Sequence, residues 1–521
     1  MQGSEGSNKY QIRQLAAFWQ HFTLHRRTCD KTGESMVSVF SPDCLYPVWK
    51  RSTWLEDTLR PEATYAADKS FFEQLYALFS QCPIPHITGG NNENCDYCDD
   101  WWNSKDCYLC HSGLECQDDL YCYRTLACKD SRYAVFSFHS ELCNEVLDAH
   151  RCFHVICGLH IRQCSESAFL FDCRNCSNCF LCWNLRNKEY CIENVQYSKD
   201  EYRAIVERYD LRSHRVYHQL KKRFCELLET QALWRGVEVE RCEDATGAFI
   251  EGLKNSERCF FISDSEDCTD CVRAVYLKNC TTTVGCWNGE LIRNSVLIGD
   301  TRTYDVAYSY QCMDCYHIEY CAFCLRSKNC FACCGLVGAE YCILNKQYTA
   351  ESYAVELARI KESLLREGSE YGDFFPPHFS PSAYDESLSG HHFPLTHAEQ
   401  QRLGFVVKAE ESTPLSHAIS TSELPDSVRE ITPQWIGRPL IDLEAQKRFA
   451  LTPHDITLCQ KLGVPLPTRY YHSVIKELFS YLSYDGELHT RACFHCDGKF
   501  QSHFTEVQHP RVLCDDCYRQ L

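Results

Sequence analysis

A cysteine on every third residue, a nine-residue step inside that grid, and the return of both in a second copy predict a mostly β protein. Its expected centre is two tandem cysteine-rich parallel β-solenoid modules. Of the 16 cysteines from Cys95 to Cys191, all but Cys157 fall at positions with one remainder on division by three. Cys164, Cys173, Cys182 and Cys191 mark the nine-residue step, as do Cys143 and Cys152. Cys315, Cys324, Cys333 and Cys342 repeat it at an offset of 151 residues, and Cys179 maps onto Cys330 by the same offset. The neighbouring residues match as well: Tyr190-Cys191-Ile192-Glu193-Asn194 against Tyr341-Cys342-Ile343-Leu344-Asn345. In the second copy Cys259, Cys268, Cys271, Cys280 and Cys286 share one register and Cys312 onward another. A one-residue slip, read as a bulge or loop, is therefore expected between Trp287 and Gln311.

Grid positions without cysteine are mostly small, as at Ser104, Gly113, Thr125, Gly158 and Ser167, with Trp101, Asp119 and Lys188 as exceptions. Small side chains recurring in register suit a narrow solenoid whose coils stack about 4.8 Å apart. Two nine-residue halves or three six-residue sides would each make an eighteen-residue coil. The six-residue steps Cys110, Cys116, Cys122 and Cys128 favour the triangular form locally. Solenoid is expected over about residues 90–195 and 245–345.

Each module runs into a capping helix. Ser198-x-x-Glu201 is a capping box followed by Tyr202, Ile205, Val206 and Tyr209 on one face, and a helical pattern continues through Leu220, Phe224, Leu227 and Leu228. In the duplicate Thr349 is the N-cap, with Tyr353, Leu357, Ile360 and Leu364 behind it. Such helices cover an open solenoid end, which otherwise presents unpaired strand edges. Upstream, residues 69–80 read as one amphipathic helix through Phe71, Phe72, Leu75 and Leu78. Downstream, residues 372–397, rich in Pro, Ser, Phe and His, read as an ordered connector or a linker, with His391, His392 and His397 solvated.

The strongest local motif is C-terminal: Cys493-x2-Cys496, then Cys514-x2-Cys517. Two such knuckles can set four thiolates tetrahedrally around one Zn2+, and a set of four leaves no open coordination place, so the expected site is structural. A short tail has little core of its own, which argues against four merely buried thiols. The predicted organisation is an N-terminal α+β domain (1–88), the first solenoid with its helix (89–235), and the second with its helix (236–368). A Pro/His-rich connector and mixed segment (369–455) follows, then a helix plus a small C-terminal zinc ribbon (456–521).

Cys173-x2-Cys176-x2-Cys179-x2-Cys182 resembles an iron–sulfur ligand run, but its last gap is two rather than three and no proline follows. All four lie on the solenoid grid, and Ser327 stands where the duplicate would place a partner of Cys176. The ladder is read first as packing, since free cysteine behaves as a small buried hydrophobe. Partial metal loading of stacked thiols is the alternative; His150, His154 and His160 could add ligands but are read first as exposed or satisfied histidines. Redox or disulfide chemistry ranks behind both.

Composition narrows the classes. The chain has 521 residues, 44% hydrophobic and 24% charged, with a net charge of -18. That charge argues against broad non-specific DNA binding. No apolar run reaches membrane-spanning length and residues 1–10 are polar, so a cytoplasmic, thiol-reducing location is expected. The odd total of 39 cysteines fits a disulfide framework poorly. Phosphate loops, nucleophile elbows and HExxH are absent from the sequence. Arg469-Tyr470-Tyr471-His472 with Lys476 is a modest basic and aromatic set, read as helix packing ahead of stacking or phosphate contact.

Several segments carry a resemblance. They are residues 27–33 (Arg27-Thr28-Cys29-Asp30-Lys31-Thr32-Gly33) with Ser41-Pro42-Asp43, Phe71-Phe72-Glu73-Gln74, residues 184–192, Phe374-Phe375-Pro376 and Phe393-Pro394-Leu395-Thr396. With the terminal ribbon, they resemble an uncharacterised cysteine-rich, zinc-ribbon-containing protein family of uncultured small-genome bacteria. The resemblance implies further zinc knuckles near the N-terminus and ahead of the last one. This chain departs from them: Cys29 lacks a nearby C-x2-C partner, Cys44 has no assigned role, and Ile436-Gly437-Arg438-Pro439-Leu440 lacks flanking cysteines.

The expected function is a non-enzymatic zinc-binding scaffold or interaction protein whose solenoid and ribbon dock a protein or RNA partner. A metal storage or buffering protein using the solenoid thiols is the alternative. An enzyme with a site between the solenoids is the third reading.

Overall fold

The computed structural model describes residues 5–20, 23–126, 132, 144–147, 152–159, 161–269, 282–286, 289–299, 303–367, 371–408, 417–481 and 487–521. Cys128, Cys143, Cys271, Cys280, Trp287, His150 and His160 lie outside the described residues.

Neighbouring strands of the central β-solenoid pair in parallel at a fixed displacement. Asp99 pairs with His111 and His111 with Tyr123, Phe153 with Ser165 and Ser165 with Ser177, Tyr304 with Tyr316 and Tyr316 with Lys328. One coil is therefore 12 residues, the step from Asp99 to His111. This corrects the eighteen-residue coil and the triangular section. The reason lies in the backbone. Every third residue from Asn91 to Tyr121 is left-handed, with φ of 50–59°. Each triplet supplies one inward side chain, one residue paired to the next coil and one left-handed corner. Four triplets close four short walls, and bridges on successive walls (Glu93 to Lys105, Asp96 to Tyr108, Asp99 to His111) show the pairing running around the coil. The nine-residue cysteine step is three walls of the four.

A left-handed corner costs an L residue about 1–2 kcal/mol, least for Asn and Asp. The corners accordingly hold Asn91, Asn94, Asp100, Asn103, Asp106 and Asp118, then Asp172, Asn175, Asn178, Asn184 and Asn187. Stacked corners also bond one another: the Asn91 amide donates to Asn103 Oδ1 at 3.1 Å, Asn94 to Asp106 at 3.0 Å and Asn175 to Asn187 at 3.2 Å.

Inward residues fill the tube. Trp101, large for its position, is admitted by Gly113 one coil on, where a Cβ would stand 2.1 Å from the indole. The register change before Cys312 is a widened coil of 14 residues, with Gly289 paired to Thr303 and Val296 bridged to Tyr310. Two added residues shift the remainder on division by three just as the expected one-residue slip would. A tight coil also opens the second stretch, where Val239 pairs with Ile250 before the register settles at Gly247 with Cys259.

Both stretches end alike. Cys191 pairs antiparallel with Gln196, and Cys342 with Gln347. The first ending leads through the Ser198 capping box into helix Lys199–Val206 and, after a break, His214–Thr230. The second leads into Ala350–Glu367.

Residues 372–397 are not a linker. Phe374, Phe375, Phe379 and Tyr384 are buried, and Phe375 packs on Tyr310 at 5.2 Å and on Phe79 at 5.7 Å. With Phe18, Phe40, Tyr46 and Phe71 from the N-terminal region, Phe374, Phe375 and Phe379 cover a wall of the second solenoid stretch, while Tyr384 packs on Phe405. Helix Phe71–Phe79, N-capped by Ser70, lies where the sequence placed it, whereas helix Glu5–Ala16 was not foreseen. His391 is not solvated either: it packs 4.8 Å from His472, and burial draws its pKa down to about 4. Helices Pro453–Leu462 and Tyr471–Ser480 pack on the first stretch, with Tyr471 stacked on Tyr121 at 5.4 Å and the Tyr121 hydroxyl donating to Asp455 at 2.9 Å. Among the described residues no helix is long and apolar enough to cross a membrane.

Candidate metal centre

Among the described residues, one group of three or more potential ligands converges: Cys493, Cys496, Cys514 and Cys517, with sulfurs all within 4.8 Å of one another. Hairpin strands His489–Ala492 and Lys499–Ser502 carry the first knuckle. Its turn closes through Cys493 N–H to the Gly498 carbonyl at 2.9 Å, with Asp497 in the left-handed region. Strand Val512–Leu513 and the turn of helix Asp515–Tyr518 present the second. Phe494 N–H donates to the Val512 carbonyl at 2.9 Å, holding the two knuckles face to face. An ion about 2.3 Å from four sulfurs would set them about 3.8 Å apart. Cys496 and Cys514 stand at 3.9 Å. The group could hold a metal ion.

The electrostatics agree. Cys514 N–H donates to Cys493 Sγ at 3.3 Å. Burial opposes ionisation of Cys493, but backbone N–H groups of Cys514, Cys496 and His495 outweigh it and bring the thiol down to about 6. Burial and the neighbouring sulfurs push Cys514 up, and contact with Cys514 and the other sulfurs does the same to Cys517. Four thiols in one pocket cannot all ionise without a cation between them.

The ladder cysteines are placed differently. Nearly all of the described ones donate S–H to the carbonyl two residues back: Cys107 to Lys105 at 3.2 Å, Cys173 to Phe171 at 3.5 Å, Cys312 to Tyr310 at 3.4 Å, Cys333 to Phe331 at 3.3 Å. Many reach a second carbonyl nine residues on, as Cys164 does to Cys173 at 3.2 Å. Serines on the grid bond in the same way. Ser309 Oγ donates to the Ala307 carbonyl at 2.8 Å and accepts from Cys321 N–H at 3.0 Å. Two coils up that wall, Cys333 Sγ accepts from Asn345 N–H at 3.4 Å. Thiol and hydroxyl are thus interchangeable hinge pins between coils. Burial pushes Cys173, Cys315 and Cys333 well above the usual thiol range. Where thiols touch, as Cys324 touches Cys312 and Cys321, one member is drawn down and the others up, while burial drives the set upward.

The iron–sulfur-like run Cys173, Cys176, Cys179 and Cys182 belongs to this ladder, each thiol on its own carbonyl. The described cysteines are free thiols. His154 pairs with Glu166 at 2.8 Å and joins no metal group among the described residues. Cys29 is buried in a lone knuckle: burial opposes its ionisation, but Thr32 and the Lys50, Thr32 and Lys31 amides lower it. Burial pushes Cys44 up to about 11.

Sequence reasoning missed how the metal group is anchored. Arg162, Arg174 and Arg186 stack one coil apart on an outer wall. Arg174 and Arg186 hold their guanidiniums 5.8 and 5.5 Å from the Tyr518 ring, and Arg235 stands 5.1 Å from it. The Tyr518 hydroxyl donates to Asp172 at 2.6 Å, and Asp515 binds Arg235 at 2.6 Å. Strand Trp234–Arg235 pairs in parallel with Val512–Leu513. A recurring Arg at twelve-residue steps was the available signal. The set Arg469 to His472 is engaged internally, with Arg469 bound to Glu477 and Tyr471 on Tyr121, so it does not form an open stacking surface.

No protein-family model matches the chain, and no curated protein matches it.

Proposed function

We propose that the chain is a non-enzymatic zinc-binding scaffold of the reducing cytoplasm. Two solenoid modules form the frame, the helices Lys199–Val206 and Ala350–Glu367 cap their ends, and one structural Zn2+ on Cys493, Cys496, Cys514 and Cys517 shapes a ribbon that docks a protein partner. The observation that carries this reading is the split in sulfur environment. The terminal sulfurs converge on one point, whereas the ladder sulfurs are strung along the coils, each on a backbone carbonyl of its own. Four sulfurs in tetrahedral reach suit Zn2+ and leave no place for substrate. Around the knuckle, Phe494 is 49% exposed beneath the Arg511 guanidinium and Val507 is 93% exposed, an aromatic and cationic tip of the kind that anchors interfaces. Storage in the ladder is disfavoured, because a metal-bound thiolate would give up its S–H···O bond.

Metal analysis with thiol titration on reduced protein tests the proposal. One zinc per chain with the ladder thiols free is expected, and several ions per chain would overturn it.

A further inference from the structure

A second polar site lies away from the metal group, between helix His214–Thr230 and residues 465–474. It is an open cleft with about 390 Å3 of non-atom space, its mouth included. Its lining carries three permanent cations, Arg132, Lys221 and Arg469, against the single carboxylate of Glu145. Lys221 spends its charge on Glu145 at 2.6 Å and Glu477 at 3.6 Å. Arg469 gives its terminal nitrogens to Glu477 and Glu444. That leaves Arg469 Nε buried without a hydrogen-bond partner, and both ring nitrogens of His214 in the same state. Such groups are rare in folded proteins, since each forfeits its hydration for nothing. Here three of these nitrogens line one cleft. The backbone of the helix start is not the attractant, because Asp426 already receives the Arg215 N–H and the Ser213 hydroxyl.

We infer that this cleft binds a small phosphate-bearing molecule, held by the ring nitrogens of His214 and by Arg469 Nε. Phosphate suits the set better than carboxylate. A monoprotonated phosphate both donates and accepts, matching a neutral imidazole that can do either and the Arg469 Nε–H that can only donate. His214 is kept neutral by burial and by His218, stacked 5.9 Å away. The inference is independent of the zinc assignment.

Calorimetric titration of the full chain with inorganic phosphate, and separately with glycerol 3-phosphate, tests it at constant ionic strength. Saturable binding of either is expected, and the tighter of the two identifies a free ion or a phosphate ester as the source. His214→Ala should weaken it about tenfold or more, the value of one hydrogen bond to a charged group. The wild-type His214 ring signals in an NMR titration should shift in parallel, a readout that survives if the variant fails to fold. No heat with either probe, unmoved His214 signals, or full affinity in a folded His214→Ala protein would overturn the inference.

Discussion

The ladder and the terminal ribbon use the same residue at the same i, i+3 spacing, yet the ladder strings its sulfurs along backbone carbonyls while the ribbon gathers four of them at one point. A ladder sulfur looks at carbonyl oxygens and must bring a proton; Cys173 and Cys312 are such donors. Cys493 looks at N–H groups and is relieved of its proton. The difference teaches that C-x2-C is chemically silent until the backbone around it is known. A left-handed residue before each cysteine makes a wall of hydrogen-bond donors, while a hairpin knuckle makes a thiolate nest. Cys29 sharpens the point, for it has the nest without the other three ligands.

The contrast can be broken by substitution. On the zinc proposal, Cys493→Ala should abolish zinc binding, since a structural Zn2+ contributes about 10–16 kcal/mol of binding free energy to its fold. Elemental analysis would read the loss, and hydrogen exchange would show residues 489–521 unprotected. Retained stoichiometry would sink the assignment. Next in size, Cys321→Ala should cost about 2–3 kcal/mol in urea unfolding, because the Glu319 and Cys330 carbonyls lose their donor and a cavity opens. Zinc content should not change.

Serine then sharpens the contrast. Cys321→Ser should recover most of that loss, as Ser309 bonds the same way one coil below, whereas Cys493→Ser should bind zinc no better than alanine. Equal behaviour at the two sites would erase the distinction. A smaller effect is expected at a corner: Asn175→Val, at φ 53°, should cost about 1–2 kcal/mol, with Asn175→Gly near neutral in the same melt.

The smallest effect concerns the contact between the two regions. Burial resists the charge of Glu240, but Arg162, Arg235 and Arg174 hold its carboxyl down to about 2. Its stabilisation is therefore complete above the usual value near 4.5 and is lost as pH falls toward 2. Exchange protection at Trp234–Arg235 should fade over that window in the wild type relative to Glu240→Gln. Identical acid profiles would detach Glu240 from ribbon docking.

Much of this was legible in the chain, and the errors have physical causes. The triplet grid, the Ser198 box and the four terminal cysteines were read from spacing because each is a local rule. Coil length was not, because cysteine marks walls and three walls recur as readily as four. The corner residues held the missing signal, in Asn and Asp placed directly before inward positions, as in Asn94-Cys95, Asp106-Cys107 and Asn175-Cys176. Aromatic residues 374–384 look like a linker in one dimension, since the wall that buries them is assembled from distant sequence. Tyr518 and Asp172 could not be paired for the same reason.

The four-walled coil also sets rules for how such a chain can change length. Adding or deleting a multiple of twelve residues leaves every later side chain on its wall. Three, six or nine residues preserve inside and outside but carry everything downstream one, two or three quarter turns, and a length that is not a multiple of three turns outward residues into the tube. The widened coil at Gly289 to Thr303 is one such irregular event, absorbed at the cost of a new frame. A gene encoding this tube can therefore lengthen by copying whole coils, each adding about 4.8 Å of rod, while leaving the existing sequence in frame.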